Sequence, residues 1–519
     1  MSENHEQIRP PGSSLYALFQ SSAANKGSDT FFADENEECS GEQALVRVAR
    51  LAAGLKEIGV ARGDRVAFIC GSSVRHILMY FACQHIGALP CALHLRNTAE
   101  GITRTLDWLG TELLVVEEKF RELALDASRR RKQKTNLLLL NSSAVSESEF
   151  SYDSLCDSTR SGIPLVDIDV DQPAKIILSS GTTGEPKGVV HSQRTLYESA
   201  LAGVEVFGKI STADSVLVIM SPSFAAWNHV ILTYLYRGAK LVFNNVFDPG
   251  LFLGTLESSK ITNTALVPTA WRRVLQHMDG QHDLSALKLA FFSGEPGTPE
   301  FIKLMQEKLP QCQVRTAYLT SEGGVASACI ATPEVLSVAI GSVGVPVSTA
   351  EVRLVSETGS IDEELAQGEV GEILVKGSSL ALAYWNNPEL SKKKFINGWW
   401  RSGDLGRIDT HGYLAIVGRT DNMIISGGLK VHAEEVEAAL LQHPALDMVA
   451  VVGQVDPEWG QRIEAHVVSN SKTTEDEILA YCREHNLLAS FKLPKRIHFC
   501  DSLPTGSTGK IYRRGLLQD

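Results

Sequence analysis

Residues 179–188 read SSGTTGEPKG and come directly after the largely apolar run 175–178. Glycine lets backbone N–H groups approach an anion closely, and the hydroxyls and Lys187 add donors and positive charge. This composition is suited to a triphosphate. It is not the Walker A pattern, which needs Ser or Thr directly after its Lys, because Gly188 follows Lys187 here.

The chain before this loop alternates between helical and strand-like patterns. Such alternation predicts parallel sheets and an α/β fold. The helices are predicted at 43–58 and 74–86, and the strands at 65–70 and 88–93. The Ser- and Asp-rich residues 142–161 are interpreted as a loop.

Further apolar runs, around and after the loop, are continuous rather than alternating, which favours strands covered on both faces. These runs are 175–178, 215–220, 240–243 and 287–292. The pattern changes near residue 421, where a small α+β domain of about 100 residues is predicted to follow a linker. Its elements are a helix at 433–441, an apolar run at 448–452 and a helix at 476–485.

The composition excludes several classes of protein. Lys and Arg number 49 and Asp and Glu number 61, so the net charge is −12. An acidic chain is a poor candidate for nucleic-acid binding, which depends on basic side chains that neutralise phosphates. No apolar run reaches the ~20 residues of a membrane helix, and no secretory signal is recognised. The nine cysteines contain no CxxC pair, so reduced thiols and a cytoplasmic location are expected.

Six further short motifs follow the loop. Each combines turn-forming or apolar residues with hydroxyl, carboxylate or basic side chains, the groups that can bind a nucleotide. In chain order they are SGEP at 293–296, AYLTSE at 317–322, WRSGDL at 400–405, GRTD at 418–421, SGGLK at 426–430 and LPTGSTGKI at 503–511.

In this order, the loop and the motifs resemble those of the adenylate-forming (ANL) superfamily of AMP-dependent synthetases and ligases, of the acyl- and aryl-CoA synthetase type. The resemblance runs over nearly the whole chain. It implies a large N-terminal domain, residues 1–420, of parallel-sheet α/β subdomains plus a β-barrel-like part, which binds ATP and an acid. It also implies a small mobile α+β C-terminal domain, residues 421–519, that carries a catalytic lysine.

The resemblance implies a role for individual residues as well. The catalytic residues would be Lys510, Thr183, Glu322 and Lys187. The nucleotide and CoA would contact Ser180, Gly181, Thr182, Gly184, Gly294, Glu295, Pro296, Tyr318, Leu319, Thr320, Ser321, Asp404, Arg419, Gly427 and Gly428. Glu322 would also hold Mg²⁺, and Asp421 would be the hinge. Leu319 and Ser321 depart from the family's Gly and Thr, and only the Ser keeps the hydroxyl.

The implied activity is that of an acid–thiol ligase, with ATP, Mg²⁺ and coenzyme A as cofactors and co-substrates. First, the carboxylate of a small acid attacks the α-phosphorus of ATP and pyrophosphate leaves, with Lys510 stabilising the charge that builds up. Second, the small domain rotates about Asp421, Gly427 and Gly428 make room for pantetheine, and the CoA thiol displaces AMP. No histidine is assigned a catalytic role.

The acid is expected to contact Phe224, Ala225, Trp227 and Gly323. Relatives that activate amino acids carry Asp directly after the Phe, and Ala225 stands there in this chain. An unpaired buried ammonium costs several kcal/mol, so an α-amino acid is disfavoured and an aryl or medium-size acid is favoured. Trp227 fits a pocket wall and ordinary core packing equally well.

Two alternatives stay open. The acyl group could pass to the pantetheine of a carrier protein instead of CoA, or the chain could bind ATP without catalysis. The sequence leaves the acid itself, and association as a homodimer, undecided.

Overall fold

The computed structural model describes residues 14–142, 149–157, 161–163, 165, 169–180, 186–295, 297–332, 334–335, 341–357, 359–504 and 511–517. The α-helices of these residues are α1 (Leu15–Lys26), α2 (Gly41–Glu57), α3 (Val74–Ile86), α4 (Ala99–Leu109), α5 (Arg121–Arg130), α6 (Tyr152–Leu155), α7 (Gln193–Phe207), α8 (Ala225–Tyr236), α9 (Pro249–Ser258), α10 (Pro268–His277), α11 (Pro299–Lys308), α12 (Pro388–Lys394), α13 (Ala433–Leu440) and α14 (Glu475–Glu484).

The strands of the large N-terminal part are β1 (Thr30–Ala33), β2 (Glu38–Ser40), β3 (Arg65–Ile69), β4 (Leu89–Ala92), β5 (Leu113–Val116), β6 (Asn136–Leu139), β7 (Glu149–Ser151), β8 (Pro173–Ser180), β9 (Pro186–Ser192), β10 (Ser215–Val218), β11 (Lys240–Phe243), β12 (Asn263–Leu266), β13 (Leu289–Phe292), β14 (Gln313–Thr320), β15 (Gly324–Ile330), β16 (Ser342–Pro346), β17 (Ala350–Val355), β18 (Val370–Gly377), β19 (Ala383–Tyr384), β20 (Phe395–Ile396), β21 (Trp399–Ile408) and β22 (Leu414–Arg419). The C-terminal part adds β23 (Met423–Ser426), β24 (Leu429–His432), β25 (Leu446–Asp456), β26 (Gly460–Ser469) and β27 (Arg496–Phe499).

The largest sheet joins a parallel half to an antiparallel half. Its order is β17-β18-β21-β22-β16-β15-β14-β13-β12-β10-β11-β1-β2, and β20 pairs with β21. The strands from β14 to β1 are parallel, whereas those from β17 to β15 are antiparallel. β10 and β13 are buried along their whole length, as their continuous apolar runs predict. β12, which was not singled out from the sequence, is buried too.

A second sheet, in the order β4-β3-β5-β6-β7, is parallel throughout. Local signals delimit its crossover helices. The Ser73 side chain caps α3, the Thr98 side chain caps α4, and both helices end at a glycine in the left-handed conformation, Gly87 and Gly110. The alternation of helix and strand predicted for the first part of the chain is therefore confirmed.

The structure gives one predicted strand a pairing that its sequence does not indicate, and it corrects one local interpretation. β8 pairs antiparallel with β9 and belongs to a separate sheet, β19-β9-β8, because five residues separate the two strands and a parallel crossover needs a dozen or more. Residues 142–161 are not simply a loop, since β7 pairs with β6 and α6 follows it. There Glu149 is buried in an ion pair with Arg121, with Nε–Oε1 at 2.8 Å.

The C-terminal sheet runs β24-β23-β26-β25, with β27 parallel to β26. One face packs on α13 and α14 through residues such as Val436, Ile478 and Ala465. The other face is covered by residues from both sides of the gap at 505–510, Leu503 and Leu516.

The fold class expected from the sequence is confirmed: an α/β N-terminal part of mixed sheets and a smaller α+β C-terminal part. The chain leaves the large sheet at Arg419 and enters the C-terminal sheet at Met423, through the 3₁₀ turn Thr420–Asn422. The domain limits at 420 and 421 stay a prediction. All nine cysteines are free thiols, and within the described ranges no helix is long and apolar enough to span a bilayer.

Candidate functional site

The glycine- and hydroxyl-rich loop begins where β8 ends. Ser179 pairs with Lys187, and Ser180 with Pro186, so the two strands hold the ends of the loop together. Lys187 lies half-buried at the beginning of β9. Four predicted phosphate contacts, and the Ser180 side chain, lie outside the described residues: Gly181, Thr182, Thr183 and Gly184.

Gly188 lies between two tryptophans at the base of the loop. A Cβ at this position would lie 2.6 Å from the ring of Trp108 and 3.0 Å from the Cβ of Trp385. The backbone N–H of Trp385 also donates to the Gly188 carbonyl oxygen, at 2.7 Å. Close packing therefore requires glycine directly after Lys187, which accounts for the absence of the Ser or Thr of a Walker A loop.

Asp404 contacts two other predicted site residues, Tyr318 and Arg419. It lies on β21 and is buried. One carboxylate oxygen accepts a hydrogen bond from the Tyr318 hydroxyl on β14, and the other accepts from the guanidinium of Arg419 at the end of β22. Burial, together with the charge of Asp404, raises the pKa of Tyr318 well above its ordinary value, so the phenol keeps its proton and donates.

Glu322 lies in the turn between β14 and β15, where the positive charge of Lys187 acts on its carboxyl group. Its Oε1 accepts from the Tyr384 hydroxyl at 3.0 Å, and the indole N–H of Trp400 donates to the Tyr384 oxygen at 3.2 Å. Loss of hydration raises the pKa of the Glu322 carboxyl, and the Tyr384 hydrogen bond and the Lys187 charge oppose that rise. A carboxylate is an oxygen ligand of the kind that Mg²⁺ prefers, so Glu322 could hold this ion, whose charge would offset that of phosphates. Sequence reasoning did not single out Tyr384.

Two buried histidines hydrogen-bond the backbone of the residues just before Glu322, although no histidine was assigned a role from sequence. His191 Nε2 lies 2.8 Å from the Ser321 carbonyl oxygen, and His229 Nε2 lies 3.3 Å from the Thr320 carbonyl oxygen. Burial lowers the pKa of both rings to about 4, so they are neutral near pH 7. A carbonyl only accepts, so Nε2 carries the proton in both rings and orients the segment.

The other ring nitrogens of these histidines meet hydroxyls on α7. His191 Nδ1 lies 3.1 Å from Thr195 Oγ1, and His229 Nδ1 lies 2.9 Å from Ser199 Oγ. With Nε2 protonated, Nδ1 accepts from these hydroxyls. Neither histidine was given a role from the sequence.

The predicted adenine-side residues are placed near strand ends. Gly294 follows β13 with φ +87°, which favours glycine. Glu295 is exposed, and its Oε2 accepts from the backbone N–H and the hydroxyl of Thr269, at 3.0 and 2.6 Å, within the first turn of α10. Leu319 is half-buried and packs on the main core, which places its bulk on the core side. Pro296 lies outside the described residues.

The predicted acid-binding residues surround the start of α8. Phe224 precedes the helix, and its ring lies 5.5 Å from that of His94. Ala225 is half-buried, whereas Trp227 is fully buried and its indole N–H donates to Ser72 Oγ at 2.8 Å. Gly323 is buried too, and a Cβ there would lie 2.8 Å from Thr320 Oγ1, so only glycine fits this turn.

The predicted hinge and glycine turn lie in the C-terminal part. The exposed Asp421 carboxylate lies 3.7 Å from the Arg419 guanidinium. Gly427 and Gly428 are the two central residues of the β23–β24 hairpin, with φ of +58° and +79°, and both are exposed. Positive φ at both positions is the two-residue hairpin turn that glycine favours.

Lys510 lies outside the described residues, but the chain on both sides of its loop is placed. The Tyr512 N–H donates to the Pro504 carbonyl oxygen at 2.8 Å, so the two ends of residues 505–510 are adjacent. Arg513 then binds Glu437 on α13, with Nη2–Oε2 at 2.8 Å. Of the residues that follow Lys510, Arg513 is therefore attached to α13.

Known proteins resemble this chain along nearly its whole length. Residues 19–385 match the AMP-binding enzyme family, and residues 435–510 match the AMP-binding enzyme C-terminal domain. A feruloyl-CoA synthase from Amycolatopsis is 31% identical over 482 residues, which are 90% of this chain and 91% of that protein. An indoleacetate–CoA ligase from Aromatoleum aromaticum is also 31% identical, over 91% of each chain.

Solved structures share the fold. The anthranilate CoA ligase AuaEII, in complex with anthranoyl-AMP, superposes with a TM-score of 0.88 at 24% identity, covering 97% of this chain and 96% of its own. The o-succinylbenzoate CoA synthetase of Bacillus subtilis, with its acyl-adenylate intermediate, gives 0.84 at 23% identity, covering 96% and 97%. From the family match, and from the curated relatives that share nearly a third of its residues, we conclude that the chain belongs to the AMP-binding enzyme family, among its AMP-forming acid–thiol ligases of the acyl- and aryl-CoA synthetase type.

Proposed function

We propose that the chain is an ATP-dependent carboxylic acid–CoA ligase that works through an acyl-adenylate at the site around Asp404 and Glu322. The main support for this proposal is the Asp404 carboxylate, which is buried and accepts hydrogen bonds from Tyr318 and Arg419. A carboxylate in one fixed orientation presents two acceptor oxygens, which match the vicinal hydroxyls of a ribose. Arg419 would also contact the nucleotide, and Tyr318 would flank the adenine.

In the first step, the acid carboxylate attacks the α-phosphorus of ATP, and the bond from that phosphorus to the leaving pyrophosphate breaks. Phosphoryl-type transfer asks the protein mainly for positioning and for stabilisation of charge. Lys187 and the loop at 179–188 would hold the phosphates, and Lys510 would stabilise the charge shared between the acid and the α-phosphate. His191 and His229 hold the backbone at Thr320 and Ser321 in place meanwhile.

Mg²⁺ fits this site through Glu322. The carboxylate is an oxygen ligand of the type that Mg²⁺ prefers, and the Thr320 and Ser321 hydroxyls lie in the same segment. When bound, Mg²⁺ neutralises charge on the phosphates. Tyr384 holds the carboxylate in place, and the pKa of Glu322, raised by burial, makes its ionisation sensitive to nearby cations.

In the second step, the thiol sulfur of CoA attacks the carbonyl carbon of the acyl-adenylate, AMP leaves, and the thiol proton passes to solvent. The C-terminal part would rotate about Asp421 between the steps, which withdraws Lys510 and brings in Gly427 and Gly428. The exposed glycine turn has no side chain to obstruct a pantetheine arm. The thiol is partly ionised near neutral pH, so no strong general base is required.

The acid is proposed to be aryl or of medium size. Support comes from Ala225, which offers no carboxylate to an α-ammonium, and from curated relatives that are named for aryl acids. Delivery of the acyl group to a carrier-protein pantetheine is the second candidate. A cytoplasmic location is part of the proposal and is supported by the nine free cysteines.

A panel of carboxylic acids tests this proposal on the purified full chain. Acid-dependent release of pyrophosphate from ATP, followed by acyl-CoA detected by mass spectrometry when CoA is added, is expected. Asp404→Ala should lose both activities, and Asp362→Ala, at an exposed position, should keep them. Acid-dependent pyrophosphate release with transfer only to a pantetheinylated carrier protein would support the second candidate. No acid-dependent release from any member of the panel would overturn the proposal.

A further inference from the structure

Lys175 is a lysine in the core of the large N-terminal part. It lies on β8, a few residues before the phosphate loop, and is 3% exposed. Its ammonium donates to Asn228 Oδ1 and lies 4.5 Å from the ring centroid of Tyr80 and 4.7 Å from that of Trp227. Within the described ranges it forms no salt bridge with a carboxylate, and a buried cation without an anion is costly.

Three polar atoms on the side chains next to Lys175 and Trp227 lack hydrogen-bond partners. The Tyr80 hydroxyl, the Asn228 amide nitrogen and His76 Nδ1 are buried and make no hydrogen bond within the described part of the chain. Together with Trp227 these residues form the Lys175 cluster: Lys175, Tyr80, His76, Asn228 and Trp227. Every member is at most 3% exposed. Buried polar atoms are normally satisfied, so several such atoms at one place indicate a missing partner.

The unpaired atoms are mostly donors. The ammonium carries three N–H bonds and uses one on Asn228, the amide nitrogen carries two, and the phenol carries one. Burial lowers the pKa of the Lys175 ammonium to about 7, and burial together with the Lys175 charge lowers that of His76 to about 3. An oxygen acceptor would satisfy these donors, and an anionic acceptor would also stabilise the charged form of Lys175.

The cluster adjoins the elements of the active site. Asn228 and Trp227 lie on α8, which begins at Ala225, and the next residue, His229, holds the Thr320 carbonyl. Lys175 is the strand partner of His191, which holds the Ser321 carbonyl. The cluster therefore shares α8 with the predicted acid-binding residues Ala225 and Trp227, and shares β8 with the residues that lead into the phosphate loop.

We infer that the Lys175 cluster is the far end of the acid-binding site, and that the preferred acid carries an oxygen acceptor at the end opposite its reacting carboxylate. The inference rests on the proposed function and narrows its substrate class. A second carboxylate is the strongest such acceptor, and carbonyl and hydroxyl oxygens are neutral versions of the same chemistry. The rings of Trp227 and Tyr80 lie close to the ammonium, and two of its three N–H bonds are left to donate to such an oxygen.

The wild-type chain tests the inference with acids matched in length. One series is 3-(4-methylphenyl)propanoate, 3-(4-hydroxyphenyl)propanoate and 3-(4-carboxyphenyl)propanoate, and an aliphatic series is hexanoate, 5-oxohexanoate and adipate. We expect kcat/KM for pyrophosphate release to favour an acceptor-bearing acid over its methyl counterpart by at least about tenfold, because a site built to hydrogen-bond an oxygen rejects an analogue that lacks it. Equal use of the methyl acids would overturn this inference and leave the proposed function intact. No release with any acid would mean that the proposed function itself has failed, and this inference with it.

Lys175→Met removes the charge and keeps most of the side-chain volume. It should lose about tenfold or more in kcat/KM on the acceptor acids, mainly through KM, and keep or improve activity on the methyl acids. Lys303→Met, at an exposed position of the same part, should change neither. An equal loss on all acids would show a purely structural lysine. If Lys175→Met does not fold, the comparison of acceptor and methyl acids on the wild-type chain still tests the inference.

Discussion

The Tyr318 hydroxyl donates a hydrogen bond to the Asp404 carboxylate, although 86 positions separate the two residues in the chain. β14 carries the tyrosine and β21 the aspartate, and the antiparallel half of the large sheet brings the two strands to one side of the site. Arg419 occupies the second carboxylate oxygen. The carboxylate proposed to bind the ribose is thus held by two side chains from other strands.

Asp404→Asn should weaken ATP binding more than Tyr318→Phe does. The first change removes the charge that pairs with Arg419 and one acceptor oxygen, whereas the second removes one hydrogen bond. Hydrogen bonds to charged groups contribute about 1.5–3 kcal/mol, so KM for ATP should rise by about 10- to 150-fold in Asp404→Asn. Pyrophosphate release against ATP concentration measures this, with Asp362→Asn as the exposed control. An unchanged KM with a lower melting temperature would assign Asp404 to stability alone.

Lys510→Ala should separate the two half-reactions. The lysine is proposed to stabilise charge only while the carboxylate attacks ATP, so acid-dependent pyrophosphate release should fall by about 10²-fold or more. Thioester formation from supplied acyl-adenylate and CoA should change by less than about threefold, since that step has no need of this charge. Lys472→Ala, exposed in the same part of the chain, is the control. Equal loss in both half-reactions would contradict the assigned role.

Glu322→Gln should raise the Mg²⁺ concentration needed for half-maximal activity by about 10- to 100-fold. The pKa of Glu322 is raised by burial, so in the wild type the ionised form is lost as pH falls, at a higher pH than for an ordinary glutamate. Activity at limiting Mg²⁺ should therefore decline on the acid side, and this decline should be absent in Glu322→Gln. Glu300→Gln, at an exposed position, should retain the wild-type profile. Identical Mg²⁺ titrations for wild type and Glu322→Gln would exclude Glu322 as a ligand.

Glu437 should make the C-terminal part less stable as pH rises. Its Oε1 accepts from the Val451 N–H at 2.8 Å, and burial raises its pKa to about 7 despite Arg513. A folded-state pKa above the unfolded value contributes stability that is present at low pH and is lost as pH rises through the folded value. The wild-type free energy of unfolding relative to Glu437→Gln should therefore fall by about 2 kcal/mol between about pH 5.5 and about pH 8.

Chemical denaturation of both proteins at the two pH values measures that difference. Glu458→Gln, exposed in the same part of the chain, should give no such change relative to wild type. A wild-type protein that gains stability over Glu437→Gln as pH rises would contradict the sign of this shift.

The elements with strong local signals were predictable from sequence. α3, which was predicted, has a capping residue and a terminal glycine, and the runs of β10, β11 and β13 fit strands covered on both faces. α4 carries the same signals but was not predicted. The antiparallel pairing of β8 with β9 was missed because a short apolar run carries no information about its partner.

The structure brings together several residues named from sequence. Tyr318, Asp404 and Arg419 form one hydrogen-bonded group, and the charge of Lys187 acts on Glu322 in another. The loop contacts and Lys510 stay predictions. Tyr384, His191 and His229 were missed because they act through single hydrogen bonds to residues far away in the chain, and their neighbours form no recognisable pattern.

The amino-acid sequence by itself determined the class of protein, the alternation of helices and strands, and the residue types that can bind a nucleotide, because periodicity, glycine turns and side-chain chemistry are local properties. Only the tertiary structure decided which of these residues meet. It paired Tyr318 with Asp404, set Tyr384 against Glu322, and buried Lys175 among unpaired donors, because burial and hydrogen bonding between distant segments depend on how the sheets and helices pack.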